Sequence, residues 1–503
     1  MKKRILVYSF FTAIFISLIS CSEDFLEPVR DTSVLTDADF ANNADINPGL
    51  IEGTLTGVYS YMARPFAVYG TAGSRHYDFG HKSIDIWSDM LTGDMALSNN
   101  AYNWYANFTN LVSTSDFTRE ENALVWTYLY KVINLSNIVI NNLGGNDAVP
   151  ESDQTKYMMG QAKAMRAYGY FYLTQMFQRE YNPSQEILPI YDGVQSLYSK
   201  QPASDVYNLI ISDLNQSIVL LDGFQRTAKN QVNKSVAQGL LAYTYAAMGM
   251  YPEAKVLSDE IIATGGYSLT TAGQLAFPGV GSGFNNVNTG SWMWGFDITT
   301  DLGYGLVSWW GQMDVFTYSY AGAGDRKAID NGLYALIPAN DVRKNQFNAA
   351  PGATNLMPIN KFFHQGRVSM GQQVIETDYI YMRIEEFYLL SAEAAAKSGN
   401  EAAAKSRLEE LMTIRLGSLA AATAYVSPLT GDALKNAIYL QTRIEFWGEG
   451  KSYLAMKRNK ATITRGTNHT YLSGISVPYD DSRLSFKIPQ VEINNNPSIT
   501  EQN

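Results

Sequence analysis

Asp378 to Leu416 reads DYIYMRIEEFYLLSAEAAAKSGNEAAAKSRLEELMTIRL, and Val232 to Thr264 reads VNKSVAQGLLAYTYAAMGMYPEAKVLSDEIIAT. Each stretch is two runs of helical periodicity with a glycine between them. In the first, Ala392, Ala395, Gly399 and Ala404 fall at offsets 0, 3, 7 and 12. In the second, Ala242, Tyr245, Gly249 and Ala254 repeat those offsets. Small residues where two helices cross, a glycine at the turn and an alanine on the return helix are what a tetratricopeptide hairpin requires. The two hairpins are 150 residues apart. A free-running solenoid would space them by ~34. The chain therefore reads as mainly α, a tetratricopeptide-like helix-pair scaffold with long irregular loops and a few short strands.

Helical periodicity extends outward from these hairpins. Leu50, Leu55, Val58 and Tyr61 mark a first helix after Pro48-Gly49. Further helices are expected over Ala123–Leu143, Lys156–Gln178 and Asp205–Leu221, the last with Ser204 as N-cap. Asp378–Ser398 and Asp432–Arg458 each read as continuous helix. Periodicity fails over Ala67–Thr118 and over Ser268–Thr377, both rich in Gly, Asn and aromatics. Long loops of this kind in a compact protein usually carry function.

The N-terminus carries a basic Lys2-Lys3-Arg4, an apolar run from Ile5 to Ile19, and then Leu18-Ile19-Ser20-Cys21. That is a lipoprotein signal with its lipobox, and the run is too short to cross a bilayer. Cys21, the single cysteine, is the expected lipidation site. Acylation leaves no thiol for a disulfide, a nucleophile or a metal site. The chain divides into a signal peptide at 1–20, a lipid-anchored tether at 21–46, an N-terminal helical region at 47–267, a loop-rich insertion at 268–377 carrying the expected ligand face, and a C-terminal helical region at 378–503.

Charged residues are 17% and aromatics 13%, with 33 Tyr and 8 Trp. Such a chain suits a neutral, polyhydroxylated ligand, whose C–H faces pack on rings and whose hydroxyls pair with amides. Loss of Lys2, Lys3 and Arg4 takes the formal charge from −10 to −13. Nucleic acid is excluded as a partner, because phosphate binding needs clustered Lys and Arg.

Catalytic constellations are missing. There are four histidines, with His76 and His81 five apart near Asp78 and Asp85. No third metal ligand has motif spacing, and no HExxH, GxSxG or P-loop is present. No metal, cofactor or catalytic residue is assigned. The pairs Glu385-Glu386 and Glu409-Glu410 fall on expected helices, one member to pair with Arg and the other to face water. Glycosidase carboxylates cannot be recognised by spacing, since their partnership is spatial.

Exposed aromatics are the better lead. Trp309-Trp310 sits in a Gly-rich loop with Tyr304 and Gln312, and Trp104-Tyr105 sits in the other loop with Asn103 and Asn107. Adjacent rings on an irregular segment are hard to bury together. We therefore expect Trp309, Trp310, Trp104 and Tyr105 to stack on ligand, with Asn103, Asn107 and Gln312 as hydroxyl partners and Trp292 and Tyr304 nearby.

Several segments, in order along nearly the whole chain, resemble the SusD/RagB family of Bacteroidetes surface lipoproteins. They are LISCSEDFLE, GQAKAMRAYGYFYLTQMFQ (with Arg166, Ala167, Tyr170, Phe171 and Leu173), the two hairpins, TRIEFWGEGKSYLAMKR and the closing FKIPQVEINNNPSITEQN. Ala455 stands where the family usually has Asp. The resemblance implies about four tetratricopeptide-like helix pairs and a lipid-anchored protein of the outer membrane, facing the extracellular surface. It implies capture of an oligosaccharide or polysaccharide and its transfer to a SusC-like TonB-dependent transporter, without catalysis. It implies that Arg383, Arg443, Glu445 and Glu449 tie helices together by ion pairs. Alternatives left open are capture of peptide, as the RagB branch implies, a glycoside hydrolase, and a pure interaction scaffold.

Overall fold

The computed structural model describes residues 48–193 and 197–503. The signal at 1–20, Cys21 and the tether at 21–46 lie outside the described residues. Residues 51–503 form one unit.

The scaffold is a run of packed helices: α1 (Pro48–Ala63), α2 (His81–Leu91), α3 (Glu120–Asn142), α4 (Asp153–Phe177), α5 (Ala203–Leu220), α6 (Lys234–Ala247) and α7 (Tyr251–Thr264). After the insertion, which holds the one-turn α8 (Trp309–Met313), come α9 (Glu385–Lys397), α10 (Glu401–Arg415), α11 (Leu419–Val426), α12 (Gly431–Glu445) and α13 (Lys451–Arg458). Helices α3 to α7 each pack on the next, and α7 then packs on α9, which packs on α10. The two hairpins that are distant in sequence are therefore neighbours, and the repeat resumes across the insertion.

Their shared pattern has a shared cause. Ala242, Ala254, Ala392, Ala395 and Ala404 are fully buried at the crossings. Gly249 and Gly399 both turn with φ of 80°, a left-handed conformation that a side chain would strain. Asp259 on α7 joins the hairpins, its Oδ1 accepting from Ser391 Oγ at 2.7 Å and Arg407 Nη2 at 3.0 Å. Gly239 lets α6 press on α9, for a Cβ there would lie 2.5 Å from Phe387 Cζ.

Short strands form four antiparallel pairs among the described residues. They are β1 (Met95–Asn99), β2 (Glu186–Pro189), β3 (Lys200–Pro202), β4 (Trp292–Phe296), β5 (Arg326–Ile329), β6 (Tyr379–Arg383), β7 (Ile463–Thr464) and β8 (Ser476–Val477). The pairs are β1–β5, β2–β3, β4–β6 and β7–β8. In β4–β6, Trp292 faces Arg383 and Phe296 faces Tyr379.

The structure corrects several expectations. The front of Asp378–Ser398 is strand β6, because Tyr-Ile-Tyr-Met-Arg is wholly buried and pairs with Trp292–Phe296. Asp432–Arg458 is broken between α12 and α13, where Gly448 and Gly450 turn with positive φ. The N-cap of α5 is Pro202, and Ser204 lies inside the helix. Helix α2 lies within a stretch expected to be irregular. Its Ile84, Trp87 and Leu91 do fall at helical spacing, and all eleven of its residues are buried, the polar ones included. Glu385 and Glu386 are both buried, one beside Arg383 and Arg415 and the other accepting from Tyr243 Oη at 2.7 Å.

A buried charge network ties β6, α9, α10 and α12 together. Glu445 accepts from Arg383 Nη1 at 2.7 Å, Arg415 Nη2 at 2.6 Å and Arg343 Nη1 at 2.9 Å. Glu449 accepts from Arg383 Nε at 2.8 Å and Lys361 Nζ at 2.8 Å. Burial alone would raise the Glu449 carboxyl, but Arg383 and Lys361 outweigh it and hold it at about 2. Arg443 reaches elsewhere, donating from Nε and Nη2 to Asp94 Oδ1 at 2.9 and 2.6 Å.

Candidate functional site

Three irregular segments meet at one surface: residues 64–80, 99–112 and 304–325. Their backbones are fixed by carboxylates. Asp78 Oδ2 accepts the N–H groups of Val68 and Tyr69, both at 2.9 Å. Asp325 Oδ1 accepts those of Ala101 and Tyr102 at 2.6 and 2.7 Å. Asn103 takes the left-handed turn, with φ of 65°, a conformation that Asn tolerates better than most residues. Its Oδ1 accepts from Asn100 Nδ2 at 2.7 Å.

These loops present a cluster of rings. Trp104 lies flat on His76, centroids 4.7 Å apart and planes 7° from parallel. Tyr320 meets both edge-on, and its hydroxyl is 2.5 Å from His76 Nδ1. Tyr102 packs edge-on against Tyr320 at 5.0 Å, and Tyr77 supports Trp104 from below. Tyr102 is 52% exposed, nearby Tyr318 is 46% exposed, and Trp104 and His76 are half-buried. Burial lowers the basicity of His76, so the stack is neutral at pH 7. The surface thus offers uncharged ring faces edged by amides and hydroxyls, held by groups that are already ordered.

Of the residues the sequence singled out, Trp104 and Asn103 lie at this surface. Trp309 and Trp310 do not. They are 2% and 0% exposed, edge-on to one another at 5.0 Å, with Trp309 against Phe362 at 4.7 Å and under the Lys82 ammonium. The expectation that adjacent rings resist joint burial fails because the segment is helix α8, capped by Ser308 and enclosed on all sides. These rings are core and not an exposed platform. Tyr105 is likewise fully buried, beneath the Lys327 ammonium. Trp292 lies inside the β4–β6 pair, and Tyr304 is 7% exposed. Gln312 is buried with both ends of its amide in use, donating to the His76 carbonyl at 2.9 Å and accepting from Lys327 at 3.0 Å. It supports the ring stack from beneath. Asn107 is engaged by Glu121 at 2.8 Å.

Tyr102, Tyr318 and Tyr320 escaped the sequence reading, and His76 was weighed there only as a metal ligand. Spacing gives no hint that His76, 28 positions from Trp104, would back that ring. His81 lies elsewhere, buried and bonded to Tyr168 Oη at 2.6 Å. Among the described residues no group of three or more His, Cys, Asp or Glu is placed to hold a metal ion.

Comparison with known proteins agrees with this architecture. The family described as starch-binding, associating with outer membrane, matches residues 68–246, and the SusD family matches residues 337–503. The chain belongs to the SusD/RagB family. A SusD-like carbohydrate binding protein of Bacteroides vulgatus superposes with a TM-score of 0.74 at 22% identity, covering 90% of this chain and 97% of that one. A SusD superfamily protein of Bacteroides fragilis gives 0.70 at 25% identity, covering 90% and 99%. SusD-like protein P25 of Formosa agariphila is 25% identical over 178 residues, 35% of this chain. That match spans 30% of the relative's own length.

Proposed function

We propose that the protein is an outer-membrane lipoprotein that captures a neutral oligosaccharide or polysaccharide and hands it to a TonB-dependent transporter. The observation that carries this reading is the ring cluster in which Tyr102 and Trp104 reach solvent, backed by half-buried His76 and by Tyr320, which is 7% exposed. A hydrated sugar is best held by preformed flat surfaces with few rotamers to freeze, and these rings are already fixed. Family membership supports carbohydrate binding at the outer membrane, and the lipobox at Cys21 supplies the anchor.

The protein acts by binding. Burial raises two carboxyls to about 6: Asp314, which is 1% exposed, and Asp378, which lies in an open groove beside Asp297 and Glu376. The two Asp378 oxygens accept the N–H groups of Val287 and Ile298. Asp378 therefore clamps two turns together, and is badly placed to serve as a glycosidase acid.

The test is affinity electrophoresis of the mature protein through gels carrying α-glucan, β-glucan, xylan or galactomannan. One of these should retard it. Tyr102→Ala and Trp104→Ala should each weaken binding roughly ten- to hundredfold, the equivalent of ~1–3 kcal/mol for one stacking ring by analogy with base stacking. Parental binding by both folded variants would refute the assignment. Retention by a peptide column with no response to any glycan would instead favour peptide capture.

A further inference from the structure

A second aromatic groove lies away from the loop cluster, on the outer side of α3. It encloses about 450 Å³, within the usual range for small-ligand sites. One wall is the partly exposed Tyr130 on α3, backed one helical turn away by Trp126, which is 4% exposed, with centroids 4.7 Å apart. The other wall is Tyr191 and Tyr198, edge-on at 5.1 Å.

Both walls are held in place. Tyr130 Oη donates to the Pro189 carbonyl at 2.8 Å. The Tyr191 carbonyl accepts from Asn137 Nδ2 at 2.7 Å, and its N–H donates to Tyr170 Oη at 2.7 Å. Asn496 Nδ2 holds the Tyr198 carbonyl at 2.9 Å. Trp126 donates its indole N–H to Glu492 at 3.3 Å.

The rim is polar. Asn134 accepts from Tyr191 Oη at 3.2 Å, and its amide N–H groups have no partner among the described residues. Asn495 and Lys131 line the groove with polar ends that are likewise uncommitted. The charged lining residues are Lys131 and Glu492, one of each sign, so nothing selects an anion or a cation. Partly exposed tyrosine rings with an amide rim and one charge of each sign suit a neutral sugar.

We infer that this groove is a second carbohydrate site, binding a neutral oligosaccharide segment on Tyr130, Tyr191 and Tyr198. The inference rests on the functional reading above. It also gives the two sites a shared frame. Glu120, the first residue of α3, is bonded by Arg75 and by Tyr69 Oη, both on the loop that carries His76. Trp126 follows six residues later, ~9 Å along the helix axis. A polymer occupying both sites gains avidity that neither supplies alone.

The test is calorimetry of the mature protein with gluco-, xylo- and manno-hexaoses, repeated on polysaccharide gels. The parent should bind two equivalents of one hexaose. Tyr102→Ala/Trp104→Ala should leave one. Thr127→Arg, at an exposed rim position, and Tyr130→Ala should each remove the other. On gels each single-site loss should weaken retardation tenfold or more. If both groove variants titrate like the parent, or if the Tyr102→Ala/Trp104→Ala protein binds nothing while folded, the second site is refuted and the first stands. If the parent binds none of the sugars, both readings fall.

Discussion

Replacing Glu449 by Gln tests how the fold holds together. The substitution keeps the shape of the side chain and removes its charge from a site where Arg383 and Lys361 converge on it. One new amide N–H group must face a cation that already donates. Two routes give the cost. A carboxyl moved from 4.5 to about 2 by folding corresponds to about 3 kcal/mol at neutral pH. Breaking a buried pair by removing one partner typically costs ~3–5 kcal/mol. The two overlap, and we expect a loss of about 3 kcal/mol. The pH dependence follows from the direction of the shift. Below its ordinary value the unfolded chain takes up a proton on Glu449 that the native protein refuses until about 2. The stabilisation is therefore whole above pH 4.5 and is lost as pH falls from 4.5 toward 2. Urea unfolding of parent and variant, in steps from pH 7 to the lowest pH at which the parent stays folded, reads this out as a midpoint difference at unchanged slope. Equal midpoints at pH 7, or a difference that does not narrow below pH 4.5, would refute the reasoning.

Trp309→Ala should cost ~3–5 kcal/mol of stability as a core truncation and leave the folded fraction with parental sugar affinity, measured by urea melts and calorimetry. A variant that keeps its stability but loses the sugar would return Trp309 to the ligand face. Cys21→Ala should move the protein from the membrane pellet to the soluble fraction on cell fractionation, because lipid is the expected anchor. Unchanged sedimentation would remove the lipoprotein reading.

The hairpins were legible because their demands are local. A crossing needs alanine, a turn needs glycine, and both recur at fixed offsets whatever lies between. Helix α3 announced itself by apolar residues at helical spacing, and α4 by its length, although its residues 158–177 are all buried. Helix α2 is only eleven residues long and set among irregular sequence, so its Ile84, Trp87 and Leu91 spacing was outweighed by His81 and Asp85, which read as loop chemistry. The site was half legible. Composition pointed to rings and amides, and Trp104 and Asn103 do lie at the surface. Which of two tandem pairs faces water depends on what encloses them. Ser308 caps Trp309-Trp310 into a helix packed on Phe362. Trp104 instead stops at the surface on His76. Both outcomes are set by residues far off in sequence.

Helix α2 also fixes the order in which the molecule can be completed. Asp89 Oδ2 accepts the N–H of Gly448 at 2.6 Å, across a separation of 359 residues. Asp94, just beyond the helix, accepts from Trp447 Nε1 at its carbonyl and from Arg443 at its side chain. A Cβ at Gly450 would come within 2.5 Å of Asp85 Oδ1. Asp89 and Asp94 stay without these partners until residues 443–450 are in place, whereas Asp85 has Lys82 on its own helix. Contacts of such long range make folding slow. A chain cut before residue 443 would leave Asp89 and Asp94 without these partners.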